Sequence, residues 1–94
     1  MSFKLKKTSI ITGQDSMVEE GRVVTGKLYT KGITDEDPLE VTNLDDIKIG
    51  SPILVLRTYY DFIRTSTIQK ILKNEDGSLE LTTETSIYTL REVS

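Results

Sequence analysis

The stretch of sequence that decides the fold is residues 79–91, Leu79-Glu-Leu-Thr-Thr-Glu-Thr-Ser-Ile-Tyr-Thr-Leu-Arg91. A two-residue turn at Glu84 and Thr85 would fold this stretch into a hairpin. The opposed pairs are then Thr83 with Ser86, Leu81 with Tyr88, and Leu79 with Leu90. The larger apolar side chains share one face in this register, with Ile87 as the exception on the polar face, and such a match specifies strand pairing. We therefore predict two antiparallel strands in this stretch.

The composition of the whole chain also favours sheet. The 94 residues include no Ala, whereas Val, Ile and Thr account for 29 of them. β-Branched side chains pack well on a pleated surface, and Ala, the best helix former, is missing. A chain of this length holds one domain, so we expect a single β-rich domain over residues 1–94.

Four further segments are predicted to be strands from their alternation, turn signals or β-branched content. They are residues 3–11, 22–30, 51–58 and 63–73. The lysines on one face of the first segment are typical of an edge strand. Gly26 within the second segment indicates a bulge or a bend. The third segment is the most apolar of the chain and is predicted to be a central, buried strand.

Residues 63–73 leave a choice between strand and helix. Ile63, Ile68 and Ile71 approach helical spacing, but the many β-branched residues in this segment favour a strand. A strand here requires a bulge to return Ile68 and Ile71 to one face. The sequence Asn-Glu-Asp-Gly at 74–77 then predicts a hairpin turn, with Gly77 available for positive φ.

These segments define the expected fold class. We predict an all-β protein, a small SH3-like barrel or roll of five to seven short antiparallel strands. Asn43 is positioned to cap at most one short helical turn near 44–47. Residues 31–43 are predicted to form the longest loop.

The residue types present exclude several kinds of chemistry. The chain has no Cys and no His, which removes thiol nucleophiles, imidazole bases and thiolate metal sites. No Gly-rich phosphate loop and no nucleophile elbow is present. The acidic run Asp35-Glu-Asp37 lacks the staggered spacing of a calcium loop. We therefore expect no enzyme activity, no catalytic residues, no metal site and no cofactor.

The charge balance bears on the class of partner. The net charge is −3 and the isoelectric point is about 4.9. The basic cluster Lys4, Lys6 and Lys7 is small and is interpreted as solvated, so a nucleic-acid partner is not favoured. No segment is apolar enough to span a membrane or to act as a signal peptide, and we expect a cytoplasmic protein with no membrane partner.

One segment concentrates the residue types that dominate protein interfaces. Tyr and Arg are enriched in binding hot spots, and residues 57–64 hold several of them beside a Phe. The predicted partner-binding residues are Arg57, Tyr59, Tyr60, Phe62 and Arg64. The alternative is that one of these aromatic side chains caps the end of the barrel and the other side chains of the group cover that aromatic ring.

Residues 64–71, Arg-Thr-Ser-Thr-Ile-Gln-Lys-Ile, and residues 79–88 form a pattern in the C-terminal half. This pattern resembles one found in small uncharacterised proteins of bacteria, phages and prophages. These residues are similar to an arrangement written R-T-S-x-V-x-x-I followed by T-x-N-S-x-Y, and the resemblance covers roughly residues 50–92. Ile68 stands where Val is usual, and Thr85 stands where Asn is usual. The resemblance implies that Thr65, Ser66, Thr83 and Ser86 make structural hydrogen bonds near the turns.

The sequence thus predicts a small, non-enzymatic protein that binds another protein through an exposed aromatic and Arg surface. The resemblance adds the expectation of a phage or mobile-element accessory protein, such as an inhibitor of a host protein. One alternative is a small barrel that binds nucleic acid. Another is a structural subunit of a homo-oligomer or virion that extends its sheet through the strand at residues 3–11.

Overall fold

The computed structural model describes residues 2–10, 21–30 and 39–93, and the fold within these ranges is a single antiparallel sheet. Its strands are β1 (Phe3–Ile10), β2 (Val23–Thr30), β3 (Leu39–Val41), β4 (Ile53–Thr58), β5 (Asp61–Arg64), β6 (Ile68–Lys73), β7 (Leu79–Thr83) and β8 (Ser86–Glu92). The order across the sheet is β5-β4-β2-β1-β8-β7-β6, and β3 pairs with β2 outside this path. The all-β class is therefore confirmed.

The number of strands exceeds the predicted five to seven, because eight are present in the described ranges. Leu39–Val41 pairs with β2 inside the stretch that was predicted as a loop. The segment predicted as one strand over 63–73 is divided between β5 and β6, because the backbone leaves the strand conformation at residues 65–67. The strand path is open, with β5 and β6 as its two ends, and an SH3-like barrel stays a prediction.

The register of the β7–β8 hairpin matches the prediction. Leu79 pairs with Leu90 and Leu81 pairs with Tyr88. All four side chains are buried, whereas Ile87 is only half-buried. The predicted bulge in β6 is also present, because the register of the β6–β7 pair shifts between Ile68 and Lys70.

Strand β1 lies inside the sheet and not at its edge, which corrects the sequence-based expectation. It pairs with β2 on one side and with β8 on the other. Phe3 and Leu5 face the core as their alternation predicts, but the register shifts between Lys7 and Ser9 and Lys7 is fully buried. The Lys7 ammonium lies 5.9 Å from the centroid of the Tyr88 ring. Residues 3–6 of β1 therefore leave no free strand edge for extension of the sheet between chains.

Gly26 marks the point at which β2 changes partner. Residues 23–26 pair with β1, and residues 27–30 pair with β4. A Cβ atom on Gly26 would lie 2.2 Å from the carbonyl oxygen of Leu56. Only glycine permits this close approach of β2 to the backbone of β4. The irregularity predicted at Gly26 is thus the point at which β2 passes close to β4 and changes its partner strand.

The core is one cluster with contributions from both halves of the sheet path. Leu5, Leu81 and Leu90 come from one half, and Val55 and Ile63 come from the other. The sheet therefore curls around a common interior. Two backbone hydrogen bonds link the start of β6 to the segment before β4: the Gly50 amide donates to the carbonyl of Ile68 at 2.8 Å, and the Ile68 amide donates to the carbonyl of Ser51 at 3.1 Å.

The predicted helical turn is confirmed as a single 3-10 turn at Leu44–Asp46. The Asn43 side chain accepts a hydrogen bond from the Asp45 amide at 2.9 Å, which is the capping role expected for it. No helix in the described ranges is long and apolar enough to cross a membrane. The acidic run at 35–37 lies outside the described residues.

Candidate partner-binding surface

The β4–β5 hairpin carries all five residues predicted to bind a partner. Arg57 lies in β4, Tyr59 and Tyr60 form the turn, and Phe62 and Arg64 lie in β5. Tyr59 is 88% exposed, Tyr60 is 96% exposed and Phe62 is 43% exposed. The structure thus brings these five residues together in one hairpin, and neither tyrosine side chain is buried.

The tip of this hairpin is held in place by Asp61. One carboxylate oxygen accepts a hydrogen bond from Nε of Arg57 at 2.6 Å. The other accepts from an Nη atom of Arg22, immediately before β2, at 3.3 Å. The hydrogen bond from Arg57, followed by the charges of both arginines, holds the pKa of Asp61 below its ordinary value. Asp61 therefore ties the two tyrosines to the start of β2.

Within the turn, a short polar contact shapes the backbone. The Tyr60 amide donates a hydrogen bond to the Thr58 hydroxyl at 3.2 Å. The register of the β4–β5 pair also shifts between Leu56 and Thr58. The shift is a bulge at Arg57, which increases the local twist and re-aims side chains at the tip.

The outward face of β5, β4 and β2 forms a grid of six side chains, which we call the outer grid. In the first row Phe62 pairs with Leu56, which pairs with Lys27. In the second row Arg64 pairs with Leu54, which pairs with Tyr29. The members of the outer grid are Phe62, Leu56, Lys27, Arg64, Leu54 and Tyr29. The two aromatic rings occupy opposite corners, the two cations occupy the other corners, and the leucines lie between them.

The reverse face of the same strands explains why the outer grid points outward. Ile63, Val55, Leu28 and Val41 form one cross-strand row, and all four are buried. Neighbouring residues along a strand project to opposite faces. The side chains of the outer grid, by contrast, are half-buried or exposed. Because the row on the reverse face is buried in the core, the apolar side chains of the outer grid face solvent.

An open groove lies where the outer grid meets the hairpin tip. Its lining includes Tyr29, Leu56 and Tyr59, with Lys27 and Arg57 also contributing. The volume is about 680 Å³. Ser2, Thr25, Gly26 and Thr58 complete the lining, so the groove offers aromatic, aliphatic, polar and cationic contacts to a side chain or short segment of a partner.

Four members of the outer grid were missed by the sequence analysis: Lys27, Tyr29, Leu54 and Leu56. The run Ile53-Leu-Val-Leu56 is apolar on both faces, so it was interpreted as wholly buried. The available signal was that Lys27 and Tyr29 alternate with Leu28, which places an aromatic and a cation on one face of β2. The register between β2 and β4 brings Lys27 and Tyr29 beside Leu56 and Leu54. Alternation within one strand does not specify that register.

The polar residues implied by the resemblance make structural contacts. The Thr65 hydroxyl accepts from the Ile53 amide at 3.1 Å and donates to the carbonyl of Ser66 at 2.8 Å. Thr83 and Ser86 bond to each other at the β7–β8 turn. No group of three carboxylates that could hold a metal ion occurs in the part of the chain that the structure describes.

The fold and this surface define a small all-β protein with an exposed aromatic hairpin. No protein-family model, no curated protein and no solved structure matches the chain. Its resemblance to phage and bacterial proteins therefore stays a prediction.

Proposed function

We propose that the protein is a non-enzymatic binding module that captures another protein through the β4–β5 hairpin tip and the adjoining outer grid. The observation that carries this proposal is the near-complete exposure of Tyr59 and Tyr60 beside Phe62. Large aromatic side chains in one exposed patch mark interaction surfaces, whereas apolar residues scattered singly do not.

The backbone beneath the surface supports the same proposal. The Asp61 carboxylate links the hairpin tip to Arg22, and the buried row behind the outer grid fixes the strands. A strand backbone that is already ordered loses less entropy when a partner binds. Tyr and Arg at such a site are the residues most often responsible for binding energy.

The alternatives from the sequence receive less support. Nucleic-acid binding requires a continuous basic track, and the Arg57 guanidinium is already bound to Asp61. Self-assembly through β1 receives less support, because residues 3–6 of that strand are paired on both sides. An accessory protein of a phage or mobile element that inhibits a host protein is one form of the present proposal.

The test is affinity capture with the full chain and the double variant Tyr59→Ala/Tyr60→Ala. Both side chains are almost fully exposed, so the variant should fold normally, as far-ultraviolet circular dichroism can verify. We expect at least a tenfold loss of captured partner. The matched control is Leu72→Ala, which removes another exposed apolar side chain, on β6, at the far end of the strand order from β5. Equal capture by the wild type and the tyrosine variant would defeat the proposal.

A further inference from the structure

The outer grid has a charge arrangement that indicates the chemistry of the partner. We infer that it binds an extended acidic segment of another protein, in which two carboxylates flank apolar side chains. This inference rests on the proposed function and goes beyond it by specifying the kind of segment recognised.

The two cations of the outer grid lie at diagonal corners of it. Lys27 and Arg64 are exposed, and neither has an ion-pair partner among the residues that the structure describes. Arg57, in contrast, is bound to Asp61 at 2.6 Å. The whole chain carries a net charge of −3, so the charge of this face is opposite in sign to that of the whole chain. Because interfaces pair positive with negative potential, a cationic face selects an acidic partner.

Apolar side chains lie between the two cations. Phe62, Leu56, Leu54 and Tyr29 form a continuous apolar stripe across three strands, through neighbouring pairs in the register. Phe62 is 43% exposed, and the two leucines and Tyr29 are half-buried. A ligand that covers this stripe must contribute apolar side chains of its own.

The spacing of the two cations matches a short extended segment. Lys27 and Arg64 occupy opposite corners of the grid, two strands and two residues apart. Standard sheet dimensions place their Cα atoms about 12 Å apart. An extended chain covers that distance in about three to four residues. Two carboxylates at this spacing, with apolar residues between them, fit both cations and the stripe together.

One acidic residue limits the extent of the cationic face. Glu40 of β3 pairs with Tyr29 on the side away from Leu54, so it lies just beyond the outer grid. An acidic segment is therefore expected to lie over β5, β4 and β2 and to avoid β3. A nucleic acid is disfavoured by the same geometry, because two unpaired cations provide few phosphate contacts.

The experiment is selection from a displayed library of random 12-residue peptides against the full chain. The same selection uses the charge-reversed variant Lys27→Glu/Arg64→Glu and the apolar-stripe variant Phe62→Ser. The wild type should select peptides with paired acidic residues around apolar ones. The charge-reversed variant should select basic peptides instead, and the Phe62→Ser variant should bind the wild-type peptides at least tenfold more weakly by fluorescence anisotropy.

The outcomes separate this inference from the proposed function. Selected peptides that lose binding with Phe62→Ser but show no acidic preference overturn the acidic segment and leave partner binding by this surface intact. A selection that yields no binding peptide also overturns the inference. The capture experiment with Tyr59→Ala/Tyr60→Ala then tests the proposed function by itself. Tighter binding of a 20-nucleotide oligothymidylate than of any selected peptide would overturn both.

Discussion

The Thr83 hydroxyl and the Ser86 backbone form a closed pair of hydrogen bonds at the β7–β8 turn. The hydroxyl accepts from the Ser86 amide at 3.1 Å and donates to the Ser86 carbonyl at 3.2 Å. Both residues are fully or almost fully buried. This reciprocal contact allows Glu84 and Thr85 to form the turn, although neither is a residue type that favours a tight hairpin.

Thr83→Val should therefore destabilise the protein although it keeps the shape of the side chain. The Ser86 amide and carbonyl would lose their partner inside the protein, and an unsatisfied buried polar group costs about 1–3 kcal/mol. Urea unfolding measures the loss. Thr83→Ser, which keeps the hydroxyl, is the control and should lose less. A Val variant as stable as the wild type would show that the hydroxyl does not support the turn.

Gly26→Ala should destabilise the protein by about 1–3 kcal/mol, the usual range for overpacking. The added Cβ would lie 2.2 Å from the carbonyl oxygen of Leu56, which is a backbone atom that cannot rotate away. The neighbouring variant Thr25→Ala alters an exposed residue and serves as the control. Thermal unfolding compares the two. A normal melting temperature for Gly26→Ala would mean that β2 and β4 lie further apart than described.

Asp61→Asn should lower the melting temperature at neutral pH and have little effect in acid. The pKa of Asp61 is lowered from its ordinary value of 3.8, chiefly by the hydrogen bond from Arg57. A carboxyl with a lowered pKa stabilises the fold above its ordinary value, and this contribution disappears as the pH falls through the folded-state pKa. The difference between wild type and variant should therefore shrink below about pH 4. A difference that is constant from pH 7 to pH 3 contradicts the ionic contact.

Nitration with tetranitromethane should distinguish the exposed tyrosines from the core tyrosine. Tyr59 and Tyr60 are 88% and 96% exposed, whereas Tyr88 is 3% exposed. Burial also raises the pKa of Tyr88 above its ordinary value of 10.0, and the reagent attacks the phenolate. Mass spectrometry of proteolytic fragments should find the modification at positions 59 and 60 first. Early nitration of Tyr88 would contradict the described core.

The parts of the fold that the sequence predicts are those with a local signal. The β7–β8 register follows from alternation, and the capped turn at Leu44–Asp46 follows from Asn43. The residues from Arg57 to Arg64 were predicted to bind a partner because aromatic and Arg side chains cluster there, and partner binding by them stays a prediction. Each of these features depends on residues close together in the chain.

The parts that were missed depend on pairing between distant strands. The lysines of β1 predicted an edge, but the strand has partners on both sides because β8 returns to it from the other end of the chain. The outer grid likewise needs the register of β2 against β4, which sets Lys27 beside Leu56. Periodicity within one strand identifies its faces and says nothing about its neighbours.

The central place of β1 has a consequence for how the protein is made. Thr8 donates a hydrogen bond to the carbonyl of Ile87, 79 positions further along the chain. During synthesis β1 leaves the ribosome long before β8 exists. The edge of β1 that pairs with β8 therefore has no native partner until β8 is made. Non-local pairing of this kind slows folding and leaves strand edges open to aggregation. We therefore expect nascent chains that stop before residue 86 to depend on chaperones.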